Sequence, residues 1–292
     1  MTATHDTAIA PAMMETRRPR LRVVLPSLSV TLALGWLLVL ALLYIGRDII
    51  APPPDAIDAM TRLAPPLTPG HLLGSDQLGR DILARLIHGT PYSLAFGVVP
   101  TLIATFIGGA LGLLAGYGGR IANFTIMRFM DIFYAFPPIL IALAVIGTLG
   151  SGFVNCLFAL VIVLVPPVTR VTESATVRIA GLPYVEAARL AGASPLRIVL
   201  IQVLPNAVPP VLAYVTSIIG IMILYGAGLS FLGLGVETPT PEWGLMLNDL
   251  RTAMFASPWV AAAPGIFILL ASLSFGALGV ALEERWALPK HA

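Results

Sequence analysis

Uncharged stretches of about 20 residues, the length an α-helix needs to cross the hydrocarbon core of a bilayer, begin near Val23, Tyr92, Ile132, Phe153, Ala207 and Pro258. Inside a bilayer no water is present to bond free N–H and C=O groups, so such runs must satisfy their backbones internally as helices. The chain is therefore expected to be an all-α integral membrane protein with about six transmembrane helices. A mean hydropathy of +0.90 and a charged fraction of only 11% agree, since soluble domains carry about a quarter charged residues. The first run follows some two dozen polar and mixed residues and is itself long enough to span, so it reads as an anchor and not as a cleavable signal peptide.

Charge sets the orientation. With an even number of spans, Arg17, Arg18, Arg20, Arg22, Arg120, Arg128, Arg170, Arg178, Arg189, Arg197, Arg285 and Lys290 fall on the side of the termini. Only Arg47, Arg62, Arg80, Arg85 and Arg251 fall opposite. Basic residues concentrate on the cytoplasmic side, which places both termini there. The expected organisation is a cytoplasmic tail over 1–22 and a first span with an extracytoplasmic segment over 23–91. A five-helix core over 92–284 follows, with a cytoplasmic loop at 170–206, and a second cytoplasmic tail occupies 285–292.

Several classes drop out. A net charge of +2 gives no basic surface for nucleic acid. The single cysteine, Cys156, excludes an intrachain disulfide and a CxxC metal site, and His5, His71, His88 and His291 stand alone, so no metal site is expected. A phosphate-cradling GxxxxGK[ST] loop needs a lysine, and the only one is Lys290, so no ATPase chemistry resides here. No Asp pair, His-Glu-x-x-His or Ser/His pair lies in the spans, which removes catalysis within the membrane and leaves no catalytic residue to name.

The outer segment begins proline-rich, at Ala51–Pro54 and Ala64–Pro66, as a stiff connector. From Ser75 to His88 it becomes helix-compatible, with Ser75 or Asp76 as N-cap and an apolar stripe of Ile82, Leu83, Leu86 and Ile87. The expectation is a separate amphipathic helix lying on the outer face. Between Ile198 and Val236 there is no charge at all, too long for one straight crossing. Pro205, Pro209, Pro210 and the Gly226–Gly235 portion are expected to bend or end it, with part of it re-entrant or interfacial.

The cytoplasmic loop holds the most informative residues, Gly181 to Ile198. Pro183 suits the first position of a short helix and Gly192 the residue beyond its end, and Ser194 and Pro195 suit the cap and first turn of a second helix. Tyr184, Ala187, Ala188 and Ala191 share a face of the first, with Glu186 and Arg189 at its sides. A helix this short is not stable alone in water, so it docks on something, whether a protein surface or lipid headgroups.

Glu186-Ala187-Ala188, then Gly192, then Leu204-Pro205-Asn206 resemble the EAA loop of bacterial ABC importer permeases; Gln202 stands where that family has isoleucine. Leu73 to Arg85 resembles the outer LGTDxLGRDxxSR segment of the peptide and nickel branch, with Ser75 for Thr and Ala84 for Ser. Gly119 to Pro137, and Leu229–Gly235 with Pro241–Met246, resemble further stretches of that branch. The resemblance implies a type I importer permease fold in the bacterial plasma membrane. It implies a coupling helix made of Tyr184, Val185, Glu186, Ala187, Ala188, Arg189, Leu190, Ala191 and Gly192, and an outer-face motif of Gly74, Asp76, Gly79, Arg80 and Asp81. The implied partners are a second permease chain, two ATPase subunits that carry ATP and Mg, and an extracytoplasmic solute-binding protein. No cofactor is implied in this chain. Peptides are the expected solute, with nickel, glutathione and opines as alternatives.

Two features have plain structural readings. Ala104, Gly108, Gly112 and Gly116 form a small-residue ridge suited to helix packing. Asp131 lies at the edge of an apolar run, and Arg128 three residues earlier makes a local ion pair the plain reading and an ion relay the alternative. In the alternative, an ion-coupled secondary transporter, Asp131 would carry the coupling ion; the near absence of acids in the spans and of evident inverted repeats argues against it.

Overall fold

The computed structural model describes residues 27–286. The tails at 1–22 and 287–292, with Val23, the four N-terminal arginines and Lys290, lie outside the described residues. Those that are described form nine helices of eight or more residues: α1 (Leu28–Ile45), α2 (Ile82–Tyr117), α3 (Gly119–Tyr134), α4 (Pro138–Leu149), α5 (Phe153–Ala180), α6 (Pro183–Leu190), α7 (Leu204–Phe231), α8 (Trp243–Leu250) and α9 (Pro258–Trp286). No strand occurs among the described residues. Five helical stretches are long and apolar enough to cross a bilayer: α1, α2, α5, α9, and α7 with the turns that lead into it. The sixth crossing is a broken one, α3 and α4 bent by 87° at Ala135–Pro137. Pro137 has no N–H to continue α3, and the residue before a proline is pushed out of the helical region.

The core is a bundle in which α2 packs along α5, α7 along α9, and α2 against α7, with α1 resting on α9. The ridge on α2 explains the first contact. A methyl on Gly108 would stand 2.8 Å from the Val165 carbonyl, on Gly112 2.5 Å from Thr172 Cβ, and on Gly116 2.5 Å from Thr176 Cβ. Hydrogen in place of a side chain lets the two backbones meet. Gly220 and Gly279 do the same between α7 and α9, against Ser272 and Ser217.

Two expectations need correction, and two helices prove longer than the uncharged runs within them. There is no separate outer helix over 75–88: α2 is continuous from Ile82, capped by Asp81, whose carboxylate accepts from the Ala84 N–H at 2.7 Å. Ser75 and Asp76 are held instead in turns by Gly74 and Gly79, both left-handed. The helix that leads into the uncharged stretch at Ile132 is already formed from Gly119. Past residue 170 α5 continues as helix to Ala180, with Thr172, Ala175, Thr176 and Ile179 buried. Lastly, Ile198–Phe231 is helical throughout. A π turn at Val199–Val203 sits where Pro205 removes a backbone donor, and the helix then continues through Pro209, Pro210 and Gly226 to Phe231.

Candidate functional site

The short helix α6 stands at the end of the bundle that carries Arg178, Arg189 and Arg197, and local chemistry defines both its ends. Pro183 occupies its first turn. At the other end Ala193 N–H donates to Ala188 O at 3.1 Å and Gly192 N–H to Arg189 O at 3.1 Å, the paired bonds of a Schellman cap. That cap needs a left-handed residue, which is Gly192 at φ +81°. Ser194 Oγ then accepts from Arg197 N–H at 3.4 Å, with Pro195 in the next first turn.

One side chain fastens this helix to the chain. Val185 is fully buried with Ala175, Ile179, Ile198, Val203 and Ala207, where the ends of α5 and α7 meet, and Leu113, Tyr117 and Leu182 close the cluster. The Arg189 guanidinium lies 5.9 Å from the Tyr117 ring centre, and the Tyr184 hydroxyl accepts from Asn206 Nδ2 at 3.3 Å. Glu186, Ala187, Leu190, Ala191 and Gly192 face outward, and Ala188 is half-buried. Leu190 is 85% exposed, a large apolar side chain left without a partner at the end of the helix. The chemical meaning of this arrangement is mechanical: a small docking surface is welded through Val185 to two long helices.

The residues of the outer-face motif lie at the opposite end, and the structure makes them a clamp. The Asp76 carboxylate accepts from Leu78 N–H at 2.8 Å, Arg80 N–H at 2.9 Å and Arg80 Nε at 2.5 Å. Arg80 also reaches Asp249 at the end of α8, at 3.4 Å, and Gln77 Nε2 donates to the Asp249 carbonyl at 3.0 Å. Burial pushes the Asp249 carboxyl upward, and Arg80 opposes that shift. A methyl on Gly79 would stand 1.8 Å from the Asp58 carbonyl oxygen, so the incoming 51–61 segment touches the bare backbone there. Asp81 accepts from or pairs with His71 at 3.1 Å, and His71 contacts Thr61 Oγ1 at 3.2 Å. Arg85 holds Asp55 at 3.0 Å and the Pro239 carbonyl at 3.3 Å.

Sequence reasoning did not find Asp55, His71 and Asp249 as partners of this motif, nor Glu242. Glu242 is fully buried and caps α8, accepting from Gly244 N–H at 3.0 Å, Leu245 N–H at 2.9 Å and Ser93 Oγ at 2.9 Å. Burial pushes its carboxyl upward, and these hydrogen bonds oppose the shift. Asp131 joins Arg128 at 3.3 Å, as the plain reading had it, and also Arg170 on α5 at 2.5 Å. It therefore ties the broken helix to the bundle. Among the described residues no three His, Cys, Asp or Glu side chains are grouped to hold a metal.

The chain is similar to known proteins over most of its described length. The family described as "Binding-protein-dependent transport system inner membrane component" matches residues 108–288. The di/tripeptide transport system permease protein DppC of Pseudomonas aeruginosa is 44% identical over 213 residues, 73% of this chain and 70% of that protein. The glutathione transport system permease protein GsiD of Pectobacterium atrosepticum is 42% identical over 214 residues, 73% and 71% of the two chains. The dipeptide transport system permease protein DppC of Haemophilus influenzae is 36% identical over 259 residues, 87% of this chain and 88% of that one. Among solved structures, an inward-facing conformation of the MetNI methionine ABC transporter superposes with a TM-score of 0.56 at 21% identity, over 70% of this chain and 96% of that chain, a likeness of fold.

Proposed function

The chain belongs to the family of binding-protein-dependent transport system inner membrane components, an ABC importer permease without catalysis of its own, and from that premise we propose that α6 is its coupling helix. In this reading Tyr184 and Glu186–Gly192 seat in a cleft of a cytoplasmic ATPase subunit, while Val185 is the inward anchor. Two ATPase subunits carry ATP and Mg, a second, related permease chain completes the pathway, and a solute-binding protein delivers from outside. The membrane is the bacterial plasma membrane, with both termini and α6 in the cytoplasm. The outer-face motif of Gly74, Asp76, Gly79, Arg80 and Asp81 serves as the clamp that shapes the extracytoplasmic surface. Small peptides are the solute, supported by the two relatives named for dipeptides and di/tripeptides. Glutathione is the second reading, supported by a relative at 42% identity.

The observation that carries the proposal is α6 itself: too short to stand alone, started by Pro183 and closed by the Gly192 cap, fixed to α5 and α7 through Val185 and otherwise largely exposed, Leu190 included. A contact that transmits force needs that combination. The test is affinity purification of the tagged chain from detergent, with identification of copurifying chains and ATP-dependent uptake in liposomes. Copurified ATPases whose hydrolysis no longer responds to solute in Glu186→Arg are expected. A chain that purifies alone and transports without ATP would overturn the assignment.

A further inference from the structure

Neither the α6 surface nor the outer clamp uses α3, and three observations fix how that helix lies. α4 packs along α5, with Ala142 and Ile146 buried beside Cys156, Ala159 and Leu160, and α3 stands at 87° to α4. Asn123 Nδ2 donates to Glu173 at 2.6 Å, and Asp131 pairs with Arg170 at 2.5 Å. Those two α3 residues are about 12 Å apart along their helix, whereas their partners are only about 4.5 Å apart along α5, at 1.5 Å per residue. Helix α3 therefore crosses α5 instead of following it.

The depth of the crossing follows from α5. Arg170 is the first charged residue of that helix, about 26 Å from its Phe153 end at the same rise. A hydrocarbon core is about 30 Å thick, so the crossing sits at its edge. It is the edge next to α6, because α3 starts just after Tyr117, which closes the Val185 cluster. A helix laid across the bundle at that depth has protein on one side and the zone of lipid headgroups on the other.

The outward face of α3 has the chemistry of that zone. Ile121, 84% exposed, Phe124, Phe129 and Ile132 are left uncovered, and Arg120 and Arg128 stand exposed among them. The Arg128 guanidinium lies 5.6 Å from the Phe124 ring centre. Four large apolar side chains do not suit water, and two arginines do not suit lipid tails alone. An arginine satisfies both demands when its apolar stem lies along acyl chains and its head reaches phosphate. The carboxylates nearby are Asp131, which Arg128 at 3.3 Å shares with Arg170, and Glu173, which Asn123 holds, so the face keeps a surplus of positive charge. We propose that α3 is an interfacial helix that binds anionic phospholipid in the leaflet on the α6 side, with Arg120 and Arg128 on headgroup phosphate and the apolar side chains among the first acyl carbons. This rests on the importer reading only in calling that side cytoplasmic. Asn123 and Asp131 tie α3 to α5, so the leaflet braces the end of the bundle to which Val185 fastens α6.

The experiment attaches the fluorophore bimane to Thr125→Cys, exposed on the same face, in the assembled transporter reconstituted into liposomes. The quencher is brominated phosphatidylglycerol or brominated phosphatidylcholine at equal mole fraction. Phe106→Cys, 80% exposed on α2, is the control for general lipid contact, and the unaltered chain with its buried Cys156 gives the background. The expected result is quenching at 125 several-fold stronger by the phosphatidylglycerol than by the phosphatidylcholine, with no preference at 106. Arg120→Gln with Arg128→Gln should erase the preference while both lipids still quench, and Arg120→Lys with Arg128→Lys should keep it. Equal quenching by the two lipids at 125 with both arginines in place, or a preference that survives both glutamines, would overturn the choice of anionic lipid. Quenching by neither would mean that the second permease chain or an ATPase covers the face, and the lipid site would be wrong. The importer reading fails separately: a chain that purifies without ATPases sinks that reading, while the quenching pattern still reports on α3.

Discussion

Glu242 shows how much one side chain can hold. Its two carboxylate oxygens take the orphan N–H groups of Gly244 and Leu245 at the start of α8 and the hydroxyl of Ser93 on α2, and Ser93 in turn accepts from Trp243 N–H at 3.0 Å. Trp243, with no exposed surface, donates its ring N–H to the Leu86 carbonyl at 3.0 Å. Glu242→Gln keeps the volume but turns an NH2 toward a backbone donor, leaving one buried N–H unpaired. We expect a loss of about 1–3 kcal/mol, measured as a lower midpoint in thermal unfolding of the detergent-solubilised chain. Ser93→Ala is expected to lower the midpoint too. An unchanged midpoint in both would mean that water reaches this network. A different residue-scale effect is expected at Gly192. Open space surrounds it, so a side chain fits, but its left-handed backbone is strongly disfavoured for a β-branched residue. Gly192→Val should therefore leave the transmembrane bundle's melting midpoint within a degree or so of the parent while cutting solute-stimulated ATP hydrolysis; full stimulation would detach the cap from coupling.

Elements were legible in the sequence to the degree that their determinants are local. The caps of α6 and of the turn after it could be read because Pro183, Gly192, Ser194 and Pro195 act within a few residues of where they stand. The start of α2 could not, because Ser75, Asp76 and Asp81 are all adequate caps in isolation. The choice falls to Asp81 once Asp76 is occupied by Arg80 and the Gly74 and Gly79 turns fix the path. The outer clamp was visible as a motif but not as a clamp, since Arg80 meets Asp249 and Arg85 meets Pro239, partners more than a hundred residues away that no spacing reveals. The break at Ala135–Pro137 follows locally from Pro137, yet its 87° angle is held by Asp131 and Tyr134 gripping Arg170, the last with its guanidinium 4.5 Å from the ring centre. The ridge on α2 was read correctly because its four-residue period is itself the packing rule. It yields a paired prediction: Gly112→Leu should prevent α2 and α5 from meeting, whereas Gly109→Leu, with nothing within 4 Å of an added Cβ, should be accommodated. The readout is recovery of monodisperse, membrane-inserted protein, and equal recovery of the two would refute close α2–α5 packing.

At the scale of the whole molecule, the bundle has two chemically unlike ends. One gathers the 47–81 segment, the 232–257 segment and α8, tied by Arg80, Arg85 and Gln77 and closed by Ser257 Oγ, which donates to the Leu63 carbonyl at 3.5 Å. The other gathers Arg120, Arg178, Arg189 and Arg197 around α6. The positive-inside rule puts the second end in the cytoplasm, and a coupling helix can work only there, because ATP is found on that side. These two arguments are independent, one electrostatic and one mechanical, and a single labelling experiment bears on both. Ala59 is exposed beside the clamp, and Ser174 is exposed near the end of α5 that leads into α6. In intact cells a membrane-impermeant maleimide should modify Ala59→Cys, and it should reach Ser174→Cys only after permeabilisation. The reverse pattern would place α6 outside the cell, where no ATPase could meet it. Labelling of both in intact cells would mean that the bundle does not seal, and it could not then open alternately to the two sides of the membrane.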